Sequence, residues 1–427
     1  MSQVQNESLD GDLQTGPQVG RPARPVSLWR NRDYMLLWSG QNVSSIGTQV
    51  SVLAFPLLAL FITHSPAQAG LIAALRGLPY ALFMLPAGAL IDHWDRKRVM
   101  ILCDAGRAIA LGSIPVALVL DRLTVPQLYV VSLVEGTLFT FFNLAETACL
   151  ARVVPKEQYA AATARSQITD SLAWLLGPSL GGTLFGIGRA IPFLTDAVSY
   201  LVSMLSLFFI HTKFQEERDA VPMHLWADIG EGLKWLWHHP LLRFLALLTG
   251  GITTPVVGYA LIIIVLAQGQ HASAFTIGLI FACSGIGSIL GALAATPLQK
   301  RFSFGTMMIG STWIWALTWL LFAIAPNPFV LGLVTALSFI IVPIYTIVQF
   351  SYRLEQIPDK LQGRVNSVFR LIAFGSQPIG MAVTGLLIQA IGPILTVIVL
   401  FIPQFVLSIA ATLNKELRNA GSPGKRV

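Results

Sequence analysis

The chain has 427 residues, of which 54% are hydrophobic and only 11% are charged, and its mean hydropathy is +0.67. Soluble globular proteins carry about 25% charged residues, so this composition excludes a water-soluble fold and indicates a protein that crosses a membrane many times. The formal net charge of +7 is compatible with nucleic-acid binding or with membrane topology, and only its distribution along the chain distinguishes the two.

Residues 1–26 are polar, rich in Gly, Pro and Gln, and lack an apolar core. We therefore expect a disordered cytoplasmic tail and no cleaved signal peptide. Three cysteines, Cys103, Cys149 and Cys283, lie within apolar runs, which argues against a disulfide framework. No histidine is spaced with cysteines or carboxylates as a metal ligand would be, so we expect no metal, no cofactor and no enzymatic activity.

Apolar segments long enough to cross the hydrocarbon core recur along the chain between short polar breaks. We predict twelve transmembrane spans, numbered 1–12 in chain order, near residues 34–62, 69–91, 99–120, 126–151, 165–188, 190–211, 243–267, 274–297, 304–325, 328–351, 365–390 and 392–413. The predicted division is a tail at 1–26, a first six-helix bundle at 27–211, a linker at 212–242, a second six-helix bundle at 243–413 and a cytoplasmic tail at 414–427.

The distribution of Lys and Arg predicts the orientation of these spans. With both termini in the cytoplasm, 23 of the 28 Lys and Arg residues fall in cytoplasmic segments. Only Arg122 and Arg189 fall in outer loops, and Arg76, Arg107 and Arg370 lie within spans. The basic surplus therefore reflects topology, and nucleic acid is not an expected partner.

The two halves of the chain repeat short patterns, as transporters built from two related bundles do. A stripe of small residues at i, i+4 and i+7 in span 2 recurs in span 8: Gly70, Ala74 and Gly77, then Gly278, Ala282 and Gly285. Such a stripe lets membrane helices pack closely. It also arises from the general abundance of small residues in membrane helices, and both interpretations remain open.

The linker contains an apolar stripe opposed by charged residues: Trp226, Ile229, Leu233 and Leu236 against Asp228, Glu231 and Lys234. This pattern predicts an amphipathic helix on the inner membrane surface. The helix is either a tether that lets the two halves rock or a passive connection.

The loop between spans 2 and 3 ends an apolar run in a cluster of charges, Gly88-Ala-Leu-Ile-Asp-His-Trp-Asp-Arg-Lys-Arg98. We expect Asp92 to face the positive N-terminus of span 11 and to act as a latch between the bundles. The stretch resembles the loop 2–3 signature of the major facilitator superfamily, G-x-L-x-D-R-x-x-R-[KR]-R, with His93 in place of the usual arginine. The resemblance implies a gating motif made of Gly88, Asp92, Arg96, Lys97 and Arg98.

Span 5 contains Gly177-Pro178-Ser-Leu-Gly181-Gly182, which resembles the G-P-x-x-G-G motif associated with proton antiporters of that superfamily. Proline removes a backbone donor and kinks a helix, and the glycines admit a neighbouring helix. The alternative is a kink with no bearing on the direction of transport.

Two further stretches, 231–240 and 363–367, look like the third drug-proton antiporter group, which includes macrolide exporters and the enterobactin exporter. The resemblance runs from about Leu28 to Leu413. It implies the major facilitator fold, a multi-pass protein of the bacterial inner membrane, and a functional monomer that works with protons and a small-molecule substrate in the lipid bilayer.

Charged side chains within membrane helices cost about 2.5–3.5 kcal/mol each on insertion scales, so each is a functional candidate. Seven fall in the first half and one in the second: Arg76, Asp104, Arg107, Glu135, Glu146, Asp170 and Asp196, then Arg370. At about 1.5 Å per residue, Arg76, Glu135 and Asp196 form an outer layer and the others an inner layer.

The candidates for proton coupling are Glu135, Glu146, Asp170, Arg76 and Arg107. Because Glu135 and Glu146 are eleven residues apart, one face of span 4 presents a carboxylate to each layer. Burial favours the protonated form of a carboxyl group and a nearby arginine favours its ionised form, so either arginine can act as a switch.

Structural roles remain open for the other charges. Asp104 and Arg107 are spaced i, i+3 and are expected to neutralise each other. Asp196 fits a Leu-x-Asp-x-x-Ser-Tyr pattern of the related exporters and can tie span 6 to its bundle. Asp170 and Arg370 occupy roughly equivalent places in the two repeats, as gate residues or as packing charges.

The second half offers Tyr259, Tyr345, Gln349 and Gln377 among apolar side chains. Such a wall suits a bulky amphiphile better than an ion or a sugar, although each residue can instead face a neighbouring helix. The sequence therefore predicts an exporter of a bulky, largely apolar compound by proton antiport. The alternatives are a proton-coupled importer, a lipid- or lysolipid-moving relative and, from another class, a non-transporting scaffold or sensor.

Overall fold

The computed structural model describes residues 28–155, 158–212, 214, 225–358 and 361–421, except the side chains of 84–90, 92, 93, 148, 151, 160, 164 and 225–228. In the first half, one turn of 3-10 helix at Leu28–Arg30 precedes α1 (Arg32–Thr63), α2 (Pro66–His93), α3 (Arg96–Val119), α4 (Val125–Val153), α5 (Tyr159–Ile187) and α6 (Ile191–Phe208).

The second half begins after the linker helix α7 (Leu225–His238). It contains α8 (Pro240–Val256), α9 (Tyr259–Gly269), α10 (Ala274–Arg301), α11 (Phe304–Ile324), α12 (Pro328–Gln356), α13 (Gln362–Phe374), α14 (Gln377–Leu413) and α15 (Lys415–Asn419).

These helices account for the twelve predicted spans. In the described part of the chain, nine segments are long and apolar enough to cross the bilayer, and the last of them, with 52 residues, includes α13 and α14. That segment reverses at Gly392, whose φ of 79° is strained for any residue with a side chain, and so provides spans 11 and 12. The nine segments therefore provide ten spans, and α2 and α5, each about 40 Å long, provide the other two. The predicted all-α fold is confirmed.

Local sequence explains where the helices begin. Seven of the long helices start just after a Ser, Thr, Asp or Asn whose side chain accepts a hydrogen bond from the backbone N–H three residues on: Asn31, Ser65, Asp95, Thr124, Ser273, Ser303 and Asn327. These caps satisfy N–H groups that have no partner within the helix. Each of these capped helices begins within six residues of the end of the preceding one, so the loops before them are short.

Some boundaries differ from those predicted. The helix of span 6 ends at Phe208, before 211, and span 7 begins at Pro240 and consists of two helices, α8 and α9. The predicted tail at 414–427 begins with α15, whose Leu417 is fully buried. This short helix packs on α11, so it belongs to the second bundle.

The two bundles pack in corresponding ways. In the first bundle α4 contacts both α2 and α3, and α3 also contacts α6. In the second bundle α12 contacts both α10 and α11, and α11 also contacts α14. The bundles meet where α2 contacts α14 and where α5 contacts α10. This pattern is that of two pseudo-symmetric units.

Glycines make both contacts between the bundles. A methyl group at Gly70 of α2 would lie 2.7 Å from the Met381 carbonyl oxygen and 2.8 Å from the Gly385 Cα on α14. A methyl group at Gly278 of α10 would lie 2.9 Å from the Pro178 carbonyl oxygen on α5. Backbones therefore touch across the seam, and the small-residue stripes are packing surfaces.

The linker helix α7 is fixed to the second bundle. Glu231 forms an ion pair with Arg364 on α13, and a methyl group at Gly232 would lie 2.8 Å from the Arg364 carbonyl oxygen. Leu236 is fully buried, whereas Leu233 of the predicted apolar stripe is 41% exposed. Part of the stripe therefore packs on α13 and α8, and the position of α7 at the membrane surface stays a prediction.

The predicted orientation can be tested with single cysteines in a cysteine-free background. A cysteine at Ala67 or Asn327 should react with a membrane-impermeant maleimide added to intact cells, because both positions adjoin outer loops. A cysteine at Pro155 or Gln299 should react only after the cells are opened. The reverse pattern would put both termini outside and exchange the two layers of charge.

The seam can be tested on one helix with a matched pair of variants. Gly182→Ala would bring a methyl group within 2.9 Å of the Gly278 Cα, whereas Gly186, one turn further along α5, is exposed and has no neighbour within 4 Å. Overpacking costs about 1–3 kcal/mol, so Gly182→Ala should lower the melting temperature of the purified protein. Gly186→Ala should leave it unchanged, and equal melting of the two variants would contradict the close seam.

A buried charge network in the first bundle

Five ionisable side chains of the first bundle converge within the membrane-spanning region: Arg76 on α2, Asp104 and Arg107 on α3, Glu135 on α4 and Asp196 on α6. Of these, only the Arg76 side chain has appreciable exposure, at 18%, and the others are at most 2% exposed. A buried charged group needs ionic or hydrogen-bonded partners. The residues of this network provide most of those partners to one another.

Glu135 lies between two arginines. Arg76 donates from Nε to Oε2 at 2.5 Å and from Nη2 to Oε1 at 3.1 Å, which is a bidentate pair. Arg107 donates from Nη2 to the same Oε1 at 3.3 Å. Close approach of α4 to α2 makes this possible, since a methyl group at Gly136 would lie 2.9 Å from the Arg76 carbonyl carbon.

Arg107 also joins two further helices to Glu135. Its Nη2 donates to the Tyr200 hydroxyl on α6 and, at 3.3 Å, to Thr48 Oγ1 on α1. The guanidinium carbon lies 3.8 Å from the centre of the Tyr200 ring, and the Thr48 and Tyr200 hydroxyls are 2.8 Å apart. One arginine therefore holds α1, α3, α4 and α6 together.

Asp196 ties α6 to α1, one of the two roles left open for it. Ser51 on α1 donates to Oδ2 at 2.5 Å, and the Ser199 hydroxyl lies 3.2 Å from Oδ1 and 2.7 Å from the Asp196 carbonyl oxygen. Gly47 leaves room for this contact, because a methyl group there would lie 2.7 Å from Oδ1.

Asp104 has the weakest hydrogen bonding of the three acids. Neither of its oxygens has a hydrogen bond of normal geometry among the described residues, and the side chain is fully buried, although the Ser203 hydroxyl on α6 is close enough to interact with it. Arg107 Nη1 is 3.8 Å from Oδ1, close enough for attraction but too far for a hydrogen bond. The expected neutralisation of this pair is therefore only partial, because Arg107 directs its other terminal nitrogen to Glu135, Tyr200 and Thr48.

The other two acidic candidates lie outside the network. Glu146 on α4 is half-buried and Asp170 on α5 is exposed, where it accepts a hydrogen bond from Ser45 at 3.4 Å. The two predicted layers are not separate, since Arg107 contacts both Glu135 of the outer layer and Asp104 of the inner layer.

The sequence interpretation missed Thr48, Ser51 and Tyr200 as members of the network. A signal was present, because Ser44, Thr48 and Ser51 form a polar stripe at i, i+4 and i+7 in the apolar span 1. Tyr200 closes the same Leu-x-Asp-x-x-Ser-Tyr pattern that singled out Asp196. Apolar packing of a transmembrane helix does not need such a polar stripe.

Part of the predicted gating motif can be described. The backbone of Gly88 lies within α2, but the Asp92 side chain lies outside the described part of the chain, so the latch stays a prediction. Lys97 donates to the carbonyl oxygen of Ile210 at 2.7 Å, just beyond the C-terminal end of α6, which a cation stabilises. Arg98 lies 3.4 Å from Asp95 in an exposed pair. Arg96 begins α3.

The Gly177–Gly182 motif lies where α5 contacts α1 and the second bundle. A methyl group at Gly177 would meet Gln49, and one at Gly181 would lie 2.6 Å from the Val50 carbonyl oxygen. Gly182 faces α10 instead. Although α5 includes Pro178, it continues as one helix.

The four candidates for a substrate wall differ in burial, and the wall itself stays a prediction. Tyr345 and Gln349 are buried inside the second bundle, where each bonds to Thr249 Oγ1, at 2.8 Å and 2.6 Å. Tyr259 is half-buried and lies 5.0 Å from the Phe339 ring. Gln377 is half-buried at the start of α14.

Two basic residues of the second half lie near these candidates along the chain. Arg353, counted as cytoplasmic, is only 7% exposed and lies 3.9 Å from the Phe369 ring. Arg370 is exposed and donates to the Tyr80 hydroxyl at 2.7 Å, which makes a polar contact between the bundles.

The fold is that of a multi-pass membrane transporter. Residues 23–423 match the family described as transmembrane secretion effectors. The chain belongs to this family of the major facilitator superfamily, and it is a transporter rather than an enzyme.

Characterised relatives cover most of the chain. The multidrug efflux pump Tap of Mycolicibacterium fortuitum is 25% identical over 395 residues, which are 90% of this chain and 96% of Tap. The enterobactin exporter EntS of Citrobacter koseri is 27% identical over 356 residues, 80% of this chain and 82% of EntS.

Solved structures with the same fold are more distant in sequence. The nucleoside transporter NupG gives a TM-score of 0.71 at 15% identity, covering 90% of this chain and 98% of NupG. A bacterial homologue of the iron transporter ferroportin, in its inward-facing state, gives a TM-score of 0.70 at 16% identity, covering 92% of this chain and all of that structure. At these identities the likeness shows the fold alone.

The network predicts unequal effects of two isosteric substitutions. Glu135→Gln would leave Arg76 and Arg107 without their counter-charge, and breaking a buried pair costs about 3–5 kcal/mol. Glu146→Gln removes a carboxylate that contacts no arginine within hydrogen-bonding distance in the described part of the chain. Glu135→Gln should therefore melt at a clearly lower temperature than Glu146→Gln in purified protein. A similar melting temperature for both would show that the arginines have other partners.

Proposed function

We propose that this protein exports a bulky, largely apolar small molecule, such as a drug, a macrolide-like or a siderophore-like compound, across the inner membrane of a bacterium. Export is driven by protons that move inward in exchange, through alternating access of a central site. A single chain contains both bundles and the seam between them, so we take the monomer as the functional unit.

The observation that carries this proposal is the buried network around Glu135. Ionisable groups within a membrane protein are costly and mark ion or proton pathways. A scaffold or sensor needs no carboxylate bonded to two arginines at mid-membrane depth. A carboxylate that changes its charge would alter the hydrogen bonds of Arg107, and those bonds join four helices of one bundle.

Alternating access is supported by the seam between the bundles. At the ends that the predicted topology assigns to the outside, Ser65 donates to Gln389 at 3.0 Å across the bundles, next to the Gly70–Gly385 contact. Close backbone packing without interlocking side chains lets two rigid units rock about their contact. Rocking would expose a site between the bundles to each side in turn.

Two observations favour export over import. The relatives with named activities, Tap and EntS, are exporters. The Gly177–Gly182 motif, associated with antiporters, lies on the helix that contacts both α1 and α10. Glu146 and the exposed Asp170 lie in the inner half, where a proton taken up from outside would be released.

Proteoliposomes with an acidic interior and a pH-sensitive dye test the function. The protein should accumulate ethidium, tetracycline, erythromycin or enterobactin inside while protons leave. Protons moving in the same direction as the compound would indicate symport and an importer. Absence of flux with the whole panel, and with lysolipid, would favour a non-transporting protein.

At least one of Glu135→Gln and Glu146→Gln should abolish this gradient-driven accumulation, because glutamine keeps the shape of glutamate but cannot ionise. Passive exchange of labelled compound across the membrane should continue in the affected variant. Exposed Glu355→Gln, at the end of α12, is the matched control and should behave as wild type. If both variants retain accumulation, the carboxylates of α4 are structural.

A further inference from the structure

The charges of the buried network do not balance. It contains two guanidinium groups and three carboxyl groups, so it has a net charge of −1 when every acid is ionised. One bound proton makes it neutral. Because an uncompensated charge in a low-dielectric interior is costly, one of the three acids is expected to hold a proton in this conformation.

Hydrogen bonding identifies the acid. Glu135 accepts three bonds from the two arginines, and Asp196 accepts a bond of 2.5 Å from Ser51. Asp104 has no exposed surface and no hydrogen bond of normal geometry on either oxygen, and its one neighbouring hydroxyl donor among the described residues is Ser203 on α6. An ionised carboxylate is therefore least supported at Asp104.

We propose that Asp104 carries the exchanged proton and that Arg107 responds to its charge. This assignment rests on the proposed proton antiport and goes beyond the candidates given above. With Asp104 protonated, Arg107 bonds Glu135, Tyr200 and Thr48, which is the arrangement in this structure. When Asp104 loses its proton, Arg107 Nη1, now 3.8 Å from Oδ1, moves into a direct bond with it.

The surroundings of Asp104 fit this role. The titratable and charged groups that face it, directly or through Arg107, come from each helix around it: Cys103 and Arg107 on α3, Glu135 and Glu146 on α4, Asp196 and Tyr200 on α6, and Arg76 on α2. Arg107 is the cation nearest to Asp104 in this group, so the charge of Asp104 acts chiefly on Arg107.

A route for release leads towards the cytoplasm. Asp104 lies about 12 Å from the inner end of α3 and Glu146 about 10 Å from that of α4, at 1.5 Å per residue. Glu146 is half-buried and lies within electrostatic range of Asp104. The proton passes from the Asp104 carboxyl to the Glu146 carboxylate and then to water on the cytoplasmic side, and Asp104 is left ionised.

This transfer would change packing throughout the first bundle. The bonds that Arg107 gives up join α3 to α1, α4 and α6, whereas the bond that it gains lies within α3. Loss of the proton therefore loosens the first bundle around one residue. We expect this change to shift the population between inward- and outward-facing states.

Spin-label distances in nanodiscs, without any transported compound, test the assignment. Labels at Arg122 and Pro326 report on the outer ends of the two bundles. Between about pH 5 and 9, the wild-type distance distribution should shift. Asp104→Asn should keep the low-pH distribution of the wild type at every pH, because asparagine mimics the protonated acid. The control Glu355→Gln should shift as wild type does.

A wild-type shift that persists in Asp104→Asn would overturn the assignment and leave antiport standing. A wild-type distribution independent of pH would overturn it too. Absence of proton flux in the liposome assay would instead overturn antiport itself.

A second measurement covers the case in which Asp104→Asn does not fold. Infrared difference spectra of wild type between low and high pH should show the C=O band of a buried carboxylic acid that disappears as it ionises. In Asp104→Glu that band should change frequency, because the acid has changed. The same band in both proteins would assign the proton to another residue.

Discussion

The ionic contact of Glu135 with Arg76 and Arg107 is the constraint on which the first bundle depends. Charges at mid-membrane depth are tolerated only when they are paired and hydrogen-bonded. The three residues come from α2, α3 and α4, so their helices must be in register before any of the charges is satisfied. Arg107 extends the constraint to α1 and α6 through Thr48 and Tyr200.

The seam between the bundles follows the opposite principle. Gly70 against Gly385, and Gly182 against Gly278, bring backbones together without any ion pair. The side-chain bonds across this seam, Ser65 to Gln389 and Arg370 to Tyr80, pair no two charges, so the bundles separate without breaking a buried ion pair there. The chain therefore combines a first bundle held internally by ionic bonds with an interface that can open at little electrostatic cost.

The sequence predicted the features that depend only on the spacing of residues within a single helix. Hydropathy located the twelve spans, and small-residue spacing marked two stripes that the structure places at the seam. It did not predict which charges meet, because Arg107 and Glu135 lie 28 residues apart and Arg107 and Tyr200 lie 93 apart. Depth counting put Arg107 with the inner acids, but its long side chain reaches the outer layer. The i, i+3 spacing of Asp104 and Arg107 suggested a closed pair, whereas Arg107 finds better acceptors on other helices.

The two bundles also differ in what they bury. The second bundle contains a neutral polar group, Thr249 with Tyr345 and Gln349, which can neither gain nor lose charge near neutral pH. The acids of the buried network lie in the first bundle, on α3, α4 and α6, which Arg107 joins. Under the proposed proton antiport, a change in protonation acts first on the packing of this one bundle, and the other bundle follows through the seam. In that proposal a proton shifts the balance between two states by acting on one of the two rigid units.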